Sequence, residues 1–326
     1  MKKYDVTALG ELLIDFTENG LSVQSNPLFE ANPGGAPCNV LAMLTNLGKK
    51  TAFIGKVGED QFGHLLKKSL DDVGISTENL KMDPEIHTTL AFVHTMPGGD
   101  RDFSFYRNPG ADMMLRKEEV QEDLIKESRL FHFGTLSCTH NPVKEATYAA
   151  LDIAKDNGLL VTFDPNLRPP LWPSMEDAKR EILRGMEYCD VLKISDNEME
   201  FLFGDNDYDR GVAQLQEKYN IPLILVTLGK DGSSAYYRTQ KVCVPGFANE
   251  NTIETTGAGD TFCACSLNYV LEHGLENLTD DNLTQMLTFA NAAASLITTR
   301  KGALRVMPTK DEVLDYIKNV TAKAGN

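Results

Sequence analysis

The run Glu254-Thr255-Thr256-Gly257-Ala258-Gly259-Asp260 sets three small residues ahead of one carboxylate and ahead of a helical stretch at 261–273. The first N–H groups of a helix have no partner within it and carry partial positive charge, so they suit an anion. Gly257, Ala258 and Gly259 let such a backbone approach a charged group without obstruction. Asp260 stands where an acceptor hydroxyl could lose its proton while the amides hold a transferring phosphoryl group. A glycine turn capped by an aspartate uses the same letters, so the run gains weight only from its company.

Asp15 follows an apolar run, where a carboxylate can accept hydrogen bonds from two adjacent hydroxyls; a turn-capping aspartate is the plain alternative. Gly34 and Gly35 open a backbone concavity, and Asn39 can both donate and accept; an ordinary helix-entry turn reads alike. Arg107, Asn108 and Asp112 follow a predicted hairpin that could swing them over a bound ligand, or they are solvated loop charges. Asp164, Asn166 and Arg168 come after a strand at 159–163, and open α/β sheets collect functional residues at that carboxyl edge. A structural Arg–Asp pair is the competing reading. Trp172, the single tryptophan, reads as packing. Residues 226–232 read as strand, tight loop and turn. The chain has no GxxxxGK[ST] loop, so cradling a phosphate falls to the amides of 257–260.

These residues need elements to carry them. Residues 4–9 predict a buried strand, 34–47 a glycine turn and helix, and 52–57 a second strand. Residues 60–73 predict an amphipathic helix with Phe62, Leu65, Leu66, Leu70 and Val73 on one face and Gly74 as its stop. Strands at 89–95 and 102–106 joined by a loop at 96–101 predict a hairpin, hence a small β appendage to which 12–30 could add strands. Alternation then resumes, with strands near 130–133, 159–163, 191–194 and 223–227. Helices are expected at 143–156, 175–188, 210–219, 261–273, 285–298 and 311–322. This order predicts an α/β fold with a mostly parallel sheet covered on both faces, and 234–244 should add an antiparallel edge.

With 42% hydrophobic residues the 326-residue chain can bury a large core. Its net charge of −15 argues against a nucleic-acid partner. Phosphate binding must use local amides, a few Lys or Arg, and a metal ion. The six cysteines form no CxxC or Cys/His cluster, as expected of reduced thiols in a cytosolic protein. Neither a signal-like apolar leader nor an eighteen-residue apolar run occurs, so a soluble, cytoplasmic protein without a membrane partner is expected.

Taken together the motifs resemble the PfkB (ribokinase-like) family of carbohydrate kinases, most closely its fructokinases. The resemblance spans essentially the whole chain: Gly10-Glu11-Leu12-Leu13-Ile14-Asp15, Gly34-Gly35-Ala36-Pro37-Cys38-Asn39, Phe105-Tyr106-Arg107-Asn108-Pro109-Gly110-Ala111-Asp112, Phe163-Asp164-Pro165-Asn166-Leu167-Arg168, the 254–260 run, and Asn291-Ala292-Ala293-Ala294 with Thr299-Arg300-Lys301-Gly302-Ala303. It implies a single ribokinase-like domain over 1–326, a three-layer sandwich with a β-sheet lid from segments within 12–33 and 88–112. It implies ATP-dependent phosphorylation of a free hexose, D-fructose first, with 2-keto-3-deoxygluconate, ribose or a nucleoside as other acceptors. A noncatalytic sugar-binding or scaffold relative is the rival of a different class, but such a protein would be expected to lose Asp260. A dinucleotide-binding dehydrogenase lacks its GxGxxG here.

The same resemblance assigns Asp260 as base, with Gly257, Ala258 and Gly259 beside it. Sugar contacts fall to Asp15, Gly34, Gly35, Asn39, Arg107, Asn108, Asp112 and Arg168. The nucleotide falls to Ser195, Thr227, Gly229, Gly232, Gly259 and Asn291. Glu198 and Asp164 would meet magnesium through water. A potassium ion would take Glu254 and carbonyls at Thr256, Ile297, Arg300, Gly302 and Val306, although the family usually has Asp where this chain has Glu254. A homodimer through the lid is also implied.

Overall fold

The computed structural model describes residues 2–95 and 101–324. The loop expected at 96–101 falls almost wholly outside the described residues. The described strands are β1 (Tyr4–Leu9), β2 (Leu13–Leu21), β3 (Pro27–Gly34), β4 (Thr51–Gly58), β5 (Ser76–Asp83), β6 (Leu90–Thr95), β7 (Arg101–Tyr106), β8 (Ser128–Gly134), β9 (Leu160–Asp164), β10 (Val191–Ser195), β11 (Leu223–Thr227), β12 (Ser233–Tyr237) and β13 (Gln240–Val244).

Nine of them form one sheet in the order β13-β12-β11-β10-β9-β8-β1-β4-β5. All neighbours are parallel except β11–β12 and β12–β13. Parallel strands buried on both faces should read as apolar runs, as residues 223–226 of β11 do. Along β11, Leu223 and Leu225 enter one core with the helices Ala36–Asn46, Ala258–His273 and Asp280–Ile297. Ile224 and Val226 enter a second core with the helices Val143–Asp156 and Met175–Met186 on the other face. The result is a three-layer α/β sandwich.

Strand order reverses at β1, which lies between β4 and β8. A doubly wound sheet opens a crevice for ligands at such a point, beyond the carboxyl ends of its strands. Pairing of Gly134 with Asp164, and of Ser195 with Thr227, brings those ends level. The chain leaving β1 enters directly the second sheet, β3-β2-β6-β7. Its β2–β6 pair is parallel and the other two pairs are antiparallel. Phe16 stacks on Phe92 at 4.8 Å and meets Phe62 edge-on, which ties this sheet to the helix Gln61–Val73.

Two helices start earlier than their apolar pattern. Gly257, at φ 77°, caps the helix Ala258–His273, so Ala258, Gly259 and Asp260 lie inside its first turn. Thr279 and Asn282 form a reciprocal capping box that starts the helix Asp280–Ile297.

Candidate active site

Asp260 projects from the first turn of Ala258–His273, and its Oδ2 accepts a hydrogen bond from Asn39 Nδ2 at 2.8 Å. Gly257 is required there: its positive φ disfavours other residues, and a Cβ would lie 2.6 Å from that of Ala303. Burial pushes the Asp260 carboxyl up to about 6. The Asn39 amide pulls it down, Asp164 raises it, and Lys193 and Arg168 lower it. Asn39 is 4% exposed, and its Oδ1 has no partner among the described residues. A buried orphan acceptor costs about 1–3 kcal/mol, so a ligand hydroxyl would relieve it.

Asn39 lies in the first turn of the helix Ala36–Asn46, whose entry fits the segment after β1. Gly35 takes φ 128°, and a Cβ there would come within 2.4 Å of the Glu11 carbonyl. At Gly34 a Cβ would fall 2.4 Å from Asp15 Oδ2, so the missing side chain makes room for that carboxylate. Glu11 Oε1 accepts from Ala36 N at 2.7 Å, and burial pushes its carboxyl up to about 7. Its place in the motif gives no hint of this role.

Across the crevice, Asp164 ends β9. Its two oxygens lie 3.2 and 3.0 Å from Lys193 Nζ on β10. Lys193 is 7% exposed. Burial works against its charge, but Asp164 and Glu198 outweigh burial and hold the ammonium more firmly protonated than usual. Sequence reasoning misses Lys193, although a lone charge inside the apolar strand β10 is a signal. Glu198 Oε1 accepts from Leu167 N at 2.8 Å, and Oε2 accepts from Ser195 N and Oγ at 2.8 and 2.9 Å. One carboxylate thus fastens the loop after β9 to the end of β10. Arg168, half-buried, donates to the Leu167 carbonyl at 3.2 Å.

A cavity of about 420 Å³ lies beside this helix N-terminus, lined among others by Thr227, Gly229, Gly232, Ala258, Gly259 and Asn291. Most of the expected nucleotide positions therefore share one hollow, while Ser195 sits apart in its cap. Asn291 is fully engaged. Its Oδ1 accepts from Ser233 Oγ at 2.9 Å, and its Nδ2 donates to the carbonyls of Val244 and Pro245. It shapes the wall and leaves little of its amide to read a base.

Two sets of expected site residues are engaged within the chain itself. Arg107 and Asp112 are 5% and 3% exposed and do not swing freely over the crevice. Arg107 Nε donates to Asp112 Oδ2 at 2.8 Å, and the guanidinium also reaches Thr139 Oγ1 and the Leu136 carbonyl. A charge buried this deeply must be paired, so the pair anchors the chain leaving β7, while Asn108 beside it is exposed. In the cage expected for potassium, Glu254 Oε1 accepts from Gly302 N at 2.8 Å. The Val306 carbonyl accepts from the Arg300 guanidinium at 2.9 Å, and the Ile297 carbonyl from Arg300 N at 3.0 Å. The chain's own donors fill part of that cage.

A doubly wound sheet with a buried carboxylate in the first turn of a helix, beside a cavity of about 420 Å³, suits phosphoryl transfer, and residues 3–310 match the family described as pfkB family carbohydrate kinase. The chain belongs to that family. It is 41% identical over 315 residues to fructokinase-2 of Solanum lycopersicum, covering 96% of each chain. The crystal structure of a fructokinase from Xylella fastidiosa with bound ATP superposes with a TM-score of 0.89 at 31% identity, covering 98% of this chain and all of that one. A double mutant of the Vibrio cholerae fructokinase, bound to fructose, ADP and potassium, gives 0.86 at 28% identity, covering 97% and 99%.

Proposed function

We propose that this protein is an ATP-dependent fructokinase that transfers the γ-phosphoryl group to a hydroxyl of free D-fructose. The observation that carries the reading is the Asn39–Asp260 pair, set at a helix start between the cavity and the segment bearing Asp15. The relatives named above support fructose as the acceptor.

Asp15, the Gly34–Gly35 backbone and the free Asn39 Oδ1 would take the sugar hydroxyls. Arg168 and Asn108 would add contacts to the sugar, while Arg107 and Asp112 hold the frame. Asp260 accepts the proton of the attacking hydroxyl, and the N–H groups of Gly259 and Asp260 receive charge on the transferring group, which is most of what phosphoryl transfer asks of a protein. ATP would lie in the cavity along Thr227, Gly229, Gly232 and Asn291. The sheet β3-β2-β6-β7 would act as a lid on one kinase domain that excludes water from the reaction.

The site fits magnesium brought by the nucleotide rather than caged by protein. Among the described residues no three metal-ligating side chains cluster. Asp164 and Glu198 are already hydrogen-bonded, so they would meet the ion through water. When bound, the ion neutralises phosphate charge. Potassium fits less well, because Arg300 and Gly302 occupy part of its oxygen set, and no step here uses it.

We place the protein in the cytoplasm as a homodimer. Leu21, Leu28 and Tyr106 are exposed on the second sheet, where a second copy would cover them; sedimentation equilibrium tests this. The activity itself is tested by coupling ADP release to a panel of fructose, ribose, 2-keto-3-deoxygluconate and nucleosides. Fructose should have the highest kcat/KM. A preference for another acceptor by tenfold or more would overturn the assignment.

A further inference from the structure

The alternation of β10 sends Ile194 to one core and turns Lys193 to the face covered by Ala258–His273. There the ammonium lies 3.2 Å from where a Cβ on Gly259 would sit. Gly259 directly precedes Asp260, so a fixed positive charge backs the helix turn that carries the carboxylate. Burying a lysine is costly unless it is paired. An aliphatic residue would pack this strand position at no such cost, as Leu192 and Ile194 do on either side.

We propose that Lys193 is a positioning residue of the active site: clamped on Asp164 behind Gly259, it holds a fixed positive charge against the helix turn that presents Asp260. This rests on the reading of Asp260 as the base. The charged and titratable groups around that carboxylate are few. Asp164 from β9 opposes ionisation, whereas Lys193 from β10 and Arg168 from the following loop favour it. Asn39 donates to it from the helix Ala36–Asn46, and the thiols of Cys38 and Cys263 are held neutral by burial. His132, on β8, is buried, bonded to Thr162 and neutral, so it adds no charge near Lys193. Lys193 and Asp164 therefore act in opposition on one proton, and the lysine offsets the carboxylate that it binds.

The test is the acid limb of kcat/KM for fructose against pH. Lys193→Met removes a cation, so the limb should move to higher pH by about one unit, the size expected for one charge at close range. Asp164→Asn removes an anion and should move it to lower pH. Lys193→Arg keeps the charge and should leave the limb within about 0.3 units of the parent. If Lys193→Met does not fold, the same upward displacement is read between Asp164→Asn and Lys193→Met/Asp164→Asn, where neither partner is left as an unpaired charge. A slower enzyme whose limb stays at the parental pH would make Lys193 merely structural and overturn the proposal. Retained turnover in Asp260→Asn would instead overturn the assignment of the base, so the two failures are distinguishable.

Discussion

Asn39 and Asp260 are 221 residues apart in the chain and 2.8 Å apart in space, and they join the starts of two helices across the crevice. Losing a general base costs roughly 10²- to 10⁴-fold in rate. Asp260→Asn should therefore lose at least 100-fold in kcat while the dissociation constant for fructose changes little, as read by calorimetry. Near-parental turnover would remove Asp260 from the chemistry.

The Asp260 carboxyl is raised to about 6, and it must be ionised to accept a proton. Turnover should rise through pH 6 and level off above pH 7. For stability the sign is opposite. A carboxyl raised in the folded state binds its proton more tightly there than in the unfolded chain, so stability falls as pH climbs from about 4 to 6. Asp260→Asn should melt higher than the parent at pH 8, by at most about 3 kcal/mol of stability, with the gain shrinking toward pH 4. An equal melting difference at both pH values would show that the carboxylate is not strained by burial.

Gly34→Ala would push a methyl group against Asp15 Oδ2. The expected outcome is a folded protein with KM for fructose raised tenfold or more and KM for ATP unchanged. Parallel changes in both constants would argue that Asp15 does not hold the sugar.

Arg107→Met leaves Asp112 buried without its cation and should cost about 3–5 kcal/mol in urea denaturation. Arg107→Met/Asp112→Leu should recover a good part of that loss. A single variant costing less than about 1 kcal/mol would show that the pair does not anchor the chain after β7.

With Arg300 on the Val306 carbonyl and Gly302 N on Glu254, exchanging potassium for sodium or choline should change the rate by less than about twofold, as expected if cation selectivity has no closed oxygen cage to act in. A tenfold activation by potassium would show that Arg300 yields its place.

The alternation of strands and helices, the antiparallel edge and the 257–260 turn are legible because apolar period and glycine position are local properties. Strand β5 is not: Ser76-Thr77-Glu78-Asn79 reads as a polar loop, yet it pairs at the edge of the sheet, where charge is tolerated. The helix Asp196–Phe203 is too short for its periodicity to register. Lys193 stands out only once its strand is known to be buried on both faces. The fate of Arg107 depends on Leu136 and Thr139, about thirty residues on, and no local pattern announces such partners. Asp15, Gly34 and Asn39 can be picked out by type, but their closeness to one another comes from the topology around β1.

The bracing by Glu198 has a mechanical consequence. Because one side chain clips the backbone of Leu167 and the amide of Ser195, the loop after β9 and the end of β10 are fastened to each other. Any disturbance of that clip should travel to both segments at once, so under the proposed reading defects in the apparent affinities for sugar and nucleotide would be inseparable.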